Sequence, residues 1–268
     1  MARTASIMAV ELQHRRWTRR NPNRSFSAFY SDVIRDKIVA GNAHRILGDR
    51  QRFESRSSAI RDRLIYHRGR AHFLRLSSRL RGGSPHVVEF GCGSLRVGRH
   101  FIGALPPGAY TGLDVTDYFY RVGLDALPEG LEEDKRPSCM VISDEVLRRV
   151  RDTSPDLVFA VAVIKHVPPA ELASVLVQLA GLIGANGQLV FVFEEASRTM
   201  RVDGKSWAYT RRTMVDKLER LLPGHVAEFE VLDSWSFWGR SIQRTELALV
   251  PRSLTTSGMA REAAAGLP

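Results

Sequence analysis

The sequence predicts an α/β domain built on a mostly parallel sheet with helices on both faces, preceded by a helical region. Three observations lead there. Short, near-continuous apolar runs recur after residue 86, as strands covered on both faces require. Segments with apolar residues every three to four positions separate these runs, so strands and helices alternate and right-handed βαβ units follow. Before residue 82 only the helical spacing is present, and Gly82-Gly83-Ser84-Pro85 marks the change.

Taken in order, residues 1–25 are polar and basic, with a turn signal at Asn21-Pro22-Asn23, and are expected to form a flexible arm. Residues 26–81 are expected to form a helical cap. Phe29, Tyr30, Val33, Ile34 and Ile38, then Ile60, Leu64, Ile65, Phe73, Leu74 and Leu76, keep helical spacing, and Gly41-Asn42 and Gly48-Asp49 divide it into two or three helices. The α/β domain occupies 82–250. Its first two strands are 87–90 and 110–114, with a helix at 97–104 between them. A weaker third strand at 139–142 precedes a helix at 144–150, and the fourth apolar run is 157–164. Pro168-Pro169 opens a helix that reaches 183, since proline is tolerated in a first helical turn. Gly184-Ala185-Asn186-Gly187 stops that helix before the fifth strand at 188–193. A helix at 210–222 then leads to two strands, 227–232 and 245–250, with no helix between them, which predicts an antiparallel pair at the sheet edge. Residues 251–268 read as a flexible tail.

Composition narrows the function classes. The 268 residues are 44% hydrophobic and 25% charged, ordinary for a globular chain able to bury a core. Two cysteines, Cys92 and Cys139, are too few for a disulfide framework or a cysteine zinc cage, and a reducing, cytoplasmic setting is expected. No apolar run is long enough to span a bilayer, because Gly184, Asn186 and Gly187 interrupt the oily stretch 172–193. The arginine pairs at 15–16 and 19–20 are followed by no secretory apolar segment. The net charge of +10 is unevenly placed: residues 1–81 hold 18 Arg and one Lys against six acids, a net +13. That asymmetry suits RNA or another anionic surface, and it equally suits arginine-rich solvated helix faces.

The segment with chemical character is Glu89-Phe90-Gly91-Cys92-Gly93-Ser94-Leu95-Arg96-Val97-Gly98, between the first strand and its helix. Gly91 and Gly93 permit a tight turn and close approach of backbone to a ligand at the carboxyl end of the strands. Asp114 ends the second strand, 23 residues past Gly91, and a carboxylate there can accept hydrogen bonds from both hydroxyls of a ribose. S-adenosylmethionine and NAD both carry such a ribose. A dinucleotide fingerprint starting at Gly91 would need glycine at 96, where Arg96 stands, and Glu89 would repel a pyrophosphate but suits a cationic ligand.

These residues resemble the cofactor-binding half of class I (Rossmann-like) S-adenosylmethionine-dependent methyltransferases. Val88-Glu89-Phe90-Gly91-Cys92-Gly93 is similar to that family's first motif and Tyr110-Thr111-Gly112-Leu113-Asp114 to its second. Pro155-Asp156-Leu157-Val158-Phe159 through Lys165-His166-Val167-Pro168 resembles the fourth-strand motif, and Ala185-Asn186-Gly187-Gln188-Leu189-Val190 the turn before strand five. The resemblance implies a seven-stranded doubly wound sheet of order 3-2-1-4-5-7-6 with the last strand antiparallel. It implies Glu89, Gly91 and Gly93 at the methionine end of the cofactor, with Cys92 between the glycines also among the cofactor-binding residues, Asp114 on the ribose and Val115 on the adenine. Ser143 and Asp144 would meet the adenine amino group, and Val163 and Ile164 would line the pocket. Many relatives have a third glycine where this chain has Leu95, with Gly98 three residues later and expected to pack on the sheet.

His166 is the candidate catalytic residue, as a base toward an incoming hydroxyl or amine, though an ordering role for the loop before Pro168 accounts for it as well. Glu194 and Glu195 are a second candidate for orienting substrate. Trp207, Tyr209, Trp235, Phe237 and Trp238 are read either as a substrate wall or as packing under the edge hairpin. No histidine spacing suggests a metal. The acceptor expected is a small molecule, sugar or lipid-linked glycan. RNA is the alternative, and a non-catalytic methyltransferase-like binding protein or an NAD(P)-dependent oxidoreductase are rivals of other classes.

Overall fold

The computed structural model describes residues 2–22, 24–40, 69–81, 83–184, 186–237 and 239–255. Ile60, Leu64, Ile65, the glycines at 41, 48 and 82, Ala185, Trp238 and the tail from 256 lie outside these residues. The chain forms two compact units, residues 11–149 and residues 1–10 with 150–268. The class is α/β with mostly parallel strands, as the sequence predicts.

In the first unit, β1 (Val87–Phe90), β2 (Tyr110–Asp114) and β3 (Ser138–Val141) run parallel in the order 3-2-1. Val87 lies opposite Tyr110 and Phe90 opposite Leu113, while Thr111 faces Ser138. Every residue of β1 and β2 is buried, so their unbroken apolar character reflects cover on both faces. β3 is the exposed edge and carries the weaker pattern.

Two helices precede the strands where an arm is expected to begin. α1 (Ala2–Arg20) and α2 (Phe26–Val39) are joined by a turn at Pro22, and residues 11–20 are helical because they have something to pack on. His14 and Trp17 meet Phe29 at ring separations of 4.9 and 5.6 Å, and the Trp17 indole N–H donates to Asp32 Oδ2 at 2.9 Å. The expected flexible arm is thus helical over this stretch; a polar composition hides two aromatic rings at helical spacing. Tyr30 of α2 lies 6.4 Å from Phe119 of α5 (Asp117–Leu124). α3 (Arg70–Ser77) sets Phe73 edge-on to Phe101 of α4 (Gly98–Ala104), with 5.0 Å between centroids. α6 (Leu131–Lys135) precedes β3, and α7 (Asp144–Asp152) leads out of the unit.

In the second unit, β4 (Leu157–Ala160) pairs in parallel with the first half of β5 (Gln188–Glu195), and α8 (Pro169–Leu182) connects them. β9 (Arg240–Pro251) runs antiparallel along β5, and β8 (His225–Phe237) lies outside β9. The order 4-5-9-8 is the expected 4-5-7-6 with an antiparallel closing pair, and α9 (Arg211–Leu221) stands before that pair as predicted.

Two features differ from the sequence expectation. A hairpin of β6 (Met200–Asp203) and β7 (Ser206–Tyr209) raises the strands from seven to nine among the described residues, and β7 pairs with β5 at Glu194 and Glu195. β4 stops at Ala160, four residues before its apolar run does, and a 3-10 turn, Ile164–His166, follows. Past Phe191 the edge of β5 that β4 uses passes to β7. Apolarity through Ile164 therefore reports burial, not pairing. No described helix is long and apolar enough to cross a membrane.

Phe101 has no exposed surface and anchors α4 under Phe73. Phe101→Ala is expected to lower stability by about 3–5 kcal/mol in urea denaturation; a loss under about 1 kcal/mol would contradict this packing.

Candidate functional site

The carboxyl end of β1 enters a turn with three left-handed residues, Gly91 (φ 74°), Gly93 (φ 53°) and Leu95 (φ 56°). Glycine adopts this conformation freely; for leucine it costs about 1–2 kcal/mol. Leu95 occupies the position where the resembled family often has its third glycine. The turn keeps the glycine conformation without the glycine, and the fully buried Leu95 side chain offsets part of the strain.

Main-chain hydrogen bonds tie this turn to the end of β2. The N–H groups of Gly91 and Cys92 both donate to the Leu113 carbonyl, at 2.7 and 3.0 Å. Gly93 N–H donates to Asp114 Oδ2 at 2.7 Å, and Val115 N–H donates to Asp114 Oδ1 at 2.8 Å. The two donors reach different carboxylate oxygens, and acceptor capacity remains. Asp114 is only 5% exposed. Burial raises its pKa to about 6, against the opposing pull of the Gly93, Val115 and Thr116 N–H groups.

Glu89 sits deeper, at 3% exposure, and the Tyr110 hydroxyl donates to its Oε2 at 2.6 Å. The parallel register explains the contact: Tyr110 stands opposite Val87, and Glu89, two residues on, shares Val87's face of the sheet. Gly98 completes the arrangement. A Cβ there would lie 2.1 Å from the Tyr110 hydroxyl and 2.6 Å from Glu89 Oε2, so only glycine fits beneath the pair. Burial pushes the Glu89 carboxyl up to about 8, although the Tyr110 hydrogen bond and the charge of Arg96 pull the other way. At neutral pH this carboxyl is mostly protonated.

The remaining sequence candidates fall in different surroundings. Cys92 is buried beneath the turn; a Cβ on Gly112 would lie 3.1 Å from its Sγ and 3.2 Å from that of Cys139. Val115 is exposed beside Asp114. Ser143 Oγ accepts the N–H of Val146 at 3.2 Å, and Asp144 is exposed in the first turn of α7. In the second unit, Val163 is half-buried and Ile164 completely buried. The His166 Nδ1–H donates to the Lys205 carbonyl at 2.9 Å, linking the 3-10 turn to the β6–β7 hairpin. Burial lowers the His166 pKa to about 4, which makes it a feeble base at neutral pH. The neighbouring Tyr209 hydroxyl donates to the Val167 carbonyl. Trp207 and Tyr209 are buried in β7, and Trp235 packs on the cluster of Ala196, Val202, Ala208 and Ile242, which supports packing under a hairpin for these three aromatics.

Tyr110 escaped sequence reasoning, and one signal was available: a phenolic hydroxyl at the start of an apolar strand needs a partner, and Glu89 is the acid nearest in register. The β6–β7 hairpin also had its signal in Asp203-Gly204, whose carboxylate accepts the Lys205 N–H at 2.7 Å.

No protein-family model matches the chain, and no curated protein matches it in sequence. Solved structures do resemble it. Magnesium protoporphyrin IX methyltransferase from Synechocystis PCC 6803, solved with bound SAM, is 16% identical with a TM-score of 0.58, covering 86% of this chain and 99% of that one. The methyltransferase domain of bacterial CtHen1 is 17% identical at TM-score 0.50, over 70% of this chain and 99% of its own. A SAM-dependent methyltransferase from Archaeoglobus fulgidus is 13% identical at TM-score 0.50, over 70% and 94%. The fold is that of class I SAM-dependent methyltransferases.

Gly98→Ala is expected to force the Tyr110 and Glu89 oxygens apart and to cost about 1–3 kcal/mol of stability. Tyr110→Phe strips a buried carboxyl oxygen of its donor at a cost of about 1–3 kcal/mol. Denaturation of the two single variants and the double variant checks this: the two costs should not add, because both act on one contact.

Proposed function

We propose that this chain is an S-adenosylmethionine-dependent methyltransferase. The observation that carries the reading is the carboxylate of Asp114, fixed at the tip of β2 by the Gly93 and Val115 N–H groups with acceptor capacity left for a ribose hydroxyl. Gly91 and Gly93 leave the adjoining main chain without side chains, so a nucleoside can lie against it. Val115, exposed one residue on, offers an apolar surface for adenine. Glu89 lies at the methionine end; a ligand ammonium would favour its charged form and draw its pKa down. Ser143 and Asp144 are assigned to the adenine amino group, Cys92 to the turn itself, and Val163 and Ile164 to apolar lining. His166 is assigned to ordering its loop, since its ring is held by the Lys205 carbonyl and its pKa is low. When bound, the cofactor supplies an already activated methyl group, so positioning and desolvation suffice for much of the rate.

Within that reading, the helices Phe26–Val39 and Arg70–Ser77 precede the domain of 82–250, and the acceptor is a small molecule, sugar or lipid-linked glycan. One observation favours RNA instead. Arg16, Arg19 and Arg20 of α1 are exposed and, among the described residues, make no ion pair. Binding of bulk RNA with a log–log salt slope of several counterions would support that second reading.

Calorimetry with S-adenosylmethionine tests the function. Asp114→Ala should weaken binding by about tenfold to a hundredfold. For the wild type, affinity should fall as the pH is lowered through about 6, because a protonated Asp114 has lost its charge and half its acceptor capacity. Asp114→Asn should bind weakly at every pH and lack that inflection. A folded wild type that binds NADH, or neither ligand, would defeat the assignment, the latter outcome favouring a non-catalytic binding protein.

A further inference from the structure

The chain's only two cysteines meet beside a glycine of the first unit. Gly112 of β2 stands opposite Cys139 of β3, and Cys92 reaches it from the turn after β1. Both sulfurs lie within 3.2 Å of the point where a Gly112 Cβ would stand, so they are at most about twice that distance apart. A larger side chain at 112 would crowd both sulfurs; glycine leaves the space beside them open. Two thiols this close can be joined by a small movement of either one.

The two thiols differ in access and in stiffness. Cys92 is 4% exposed, whereas Cys139 is half-buried in the edge strand, so a reagent from solvent meets Cys139 first. Burial pushes the Cys139 thiol up to about 12, and the charges of Glu89, Glu132 and Asp114 add to the effect. Burial also holds the Cys92 thiol well above its usual value, with Asp114, Cys139 and Glu89 adding to it. The thiolate is the reactive form, so both groups persist as thiols at neutral pH and exchange slowly. β3 is tied to β2 from Ser138 to Val141, while Cys92 lies between two left-handed glycines. Bonded sulfurs are about 2.05 Å apart, so closing the pair moves the turn more than the strand. Gly93, next to Cys92, is the residue whose N–H holds Asp114.

We propose that Cys92 and Cys139 form a reversible disulfide that draws the Gly91–Gly93 turn off Asp114 and weakens cofactor binding. The effect on the cofactor rests on the methyltransferase reading. A small disulfide, RSSR, is the oxidant. The Cys139 thiolate attacks one of its sulfurs, which forms a mixed disulfide and releases one thiol. Cys92 then attacks the Cys139 sulfur, which forms the Cys92–Cys139 bond and releases the second. The two cysteines lose two electrons and two protons, and these leave on the two RSH molecules.

Two measurements test it. Reduced wild type is incubated with glutathione disulfide at about pH 8, where more thiolate forms, and its mass and free thiols are followed. The protein should lose two hydrogens and both thiols while remaining a monomer, and dithiothreitol should restore it. Two persistent thiols, a glutathione adduct that never closes, or a disulfide-linked dimer overturns the proposal. Calorimetry with S-adenosylmethionine then compares the reduced and oxidised forms. Affinity should fall about tenfold to a hundredfold on oxidation, the worth of one hydrogen bond to a charged group, and return on reduction. Cys139→Ser, taken through the same treatment, should hold its affinity. Equal affinity of the two wild-type forms, or an equal loss in Cys139→Ser, overturns the switch. A reduced wild type that binds no S-adenosylmethionine strikes the underlying function instead, and the disulfide measurement still decides whether the pair closes.

Discussion

The first unit is organised around one carboxylate. Asp114 ends β2, and its two oxygens accept from the main chain on either side of a gap in the sequence, Gly93 in the turn after β1 and Val115 next to itself. The turn has few other ways to be satisfied. Three of its residues are left-handed, its N–H groups at 91 and 92 already share one carbonyl, and the helix behind it starts only at Gly98. Remove the carboxylate and the Gly93 N–H loses its acceptor. The same carboxyl therefore fixes both the turn after β1 and the end of β2.

Glu89 shows the complementary constraint. A carboxyl this deep is costly as an anion, and the protein meets the cost with a phenol and an absent side chain: Tyr110 supplies the donor, Gly98 the space. Between the ordinary carboxylate range and about 8, the folded chain binds a proton at Glu89 that the unfolded chain does not. The contribution of Glu89 to stability is therefore greatest in acid and declines as pH rises toward 8.

Much of this was legible in the sequence because the strand–turn–helix pattern is written in local residues. Gly91, Gly93 and Asp114 sit at positions where apolar runs end, and burial on both faces makes those runs conspicuous. What escaped depends on partners far apart in the chain. Trp17 and His14 make α1 helical only because Phe26 and Phe29 lie against them. The Tyr110–Glu89 pair exists only once the register of β1 and β2 is known. The unmade bond at Glu194 is invisible in sequence, where Glu194-Glu195 reads as two equivalent acids; folding gives one of them three donors and leaves Oε2 of the other without one. Likewise the end of β4 could not be placed by hydropathy, since Ile164 is as buried in its turn as Phe159 is in its strand.

The long outer strand β8 has a consequence for the chain's behaviour in a crowded solution. Among the described residues it pairs on one side only, with β9. Such a rim invites association by strand addition. Exposed Glu228, Glu230 and Asp233 set acidic charge along it, and the irregular register between Val231 and Asp233 bends it out of flatness. Acidic charge and a bend are both features that oppose strand addition at such a rim.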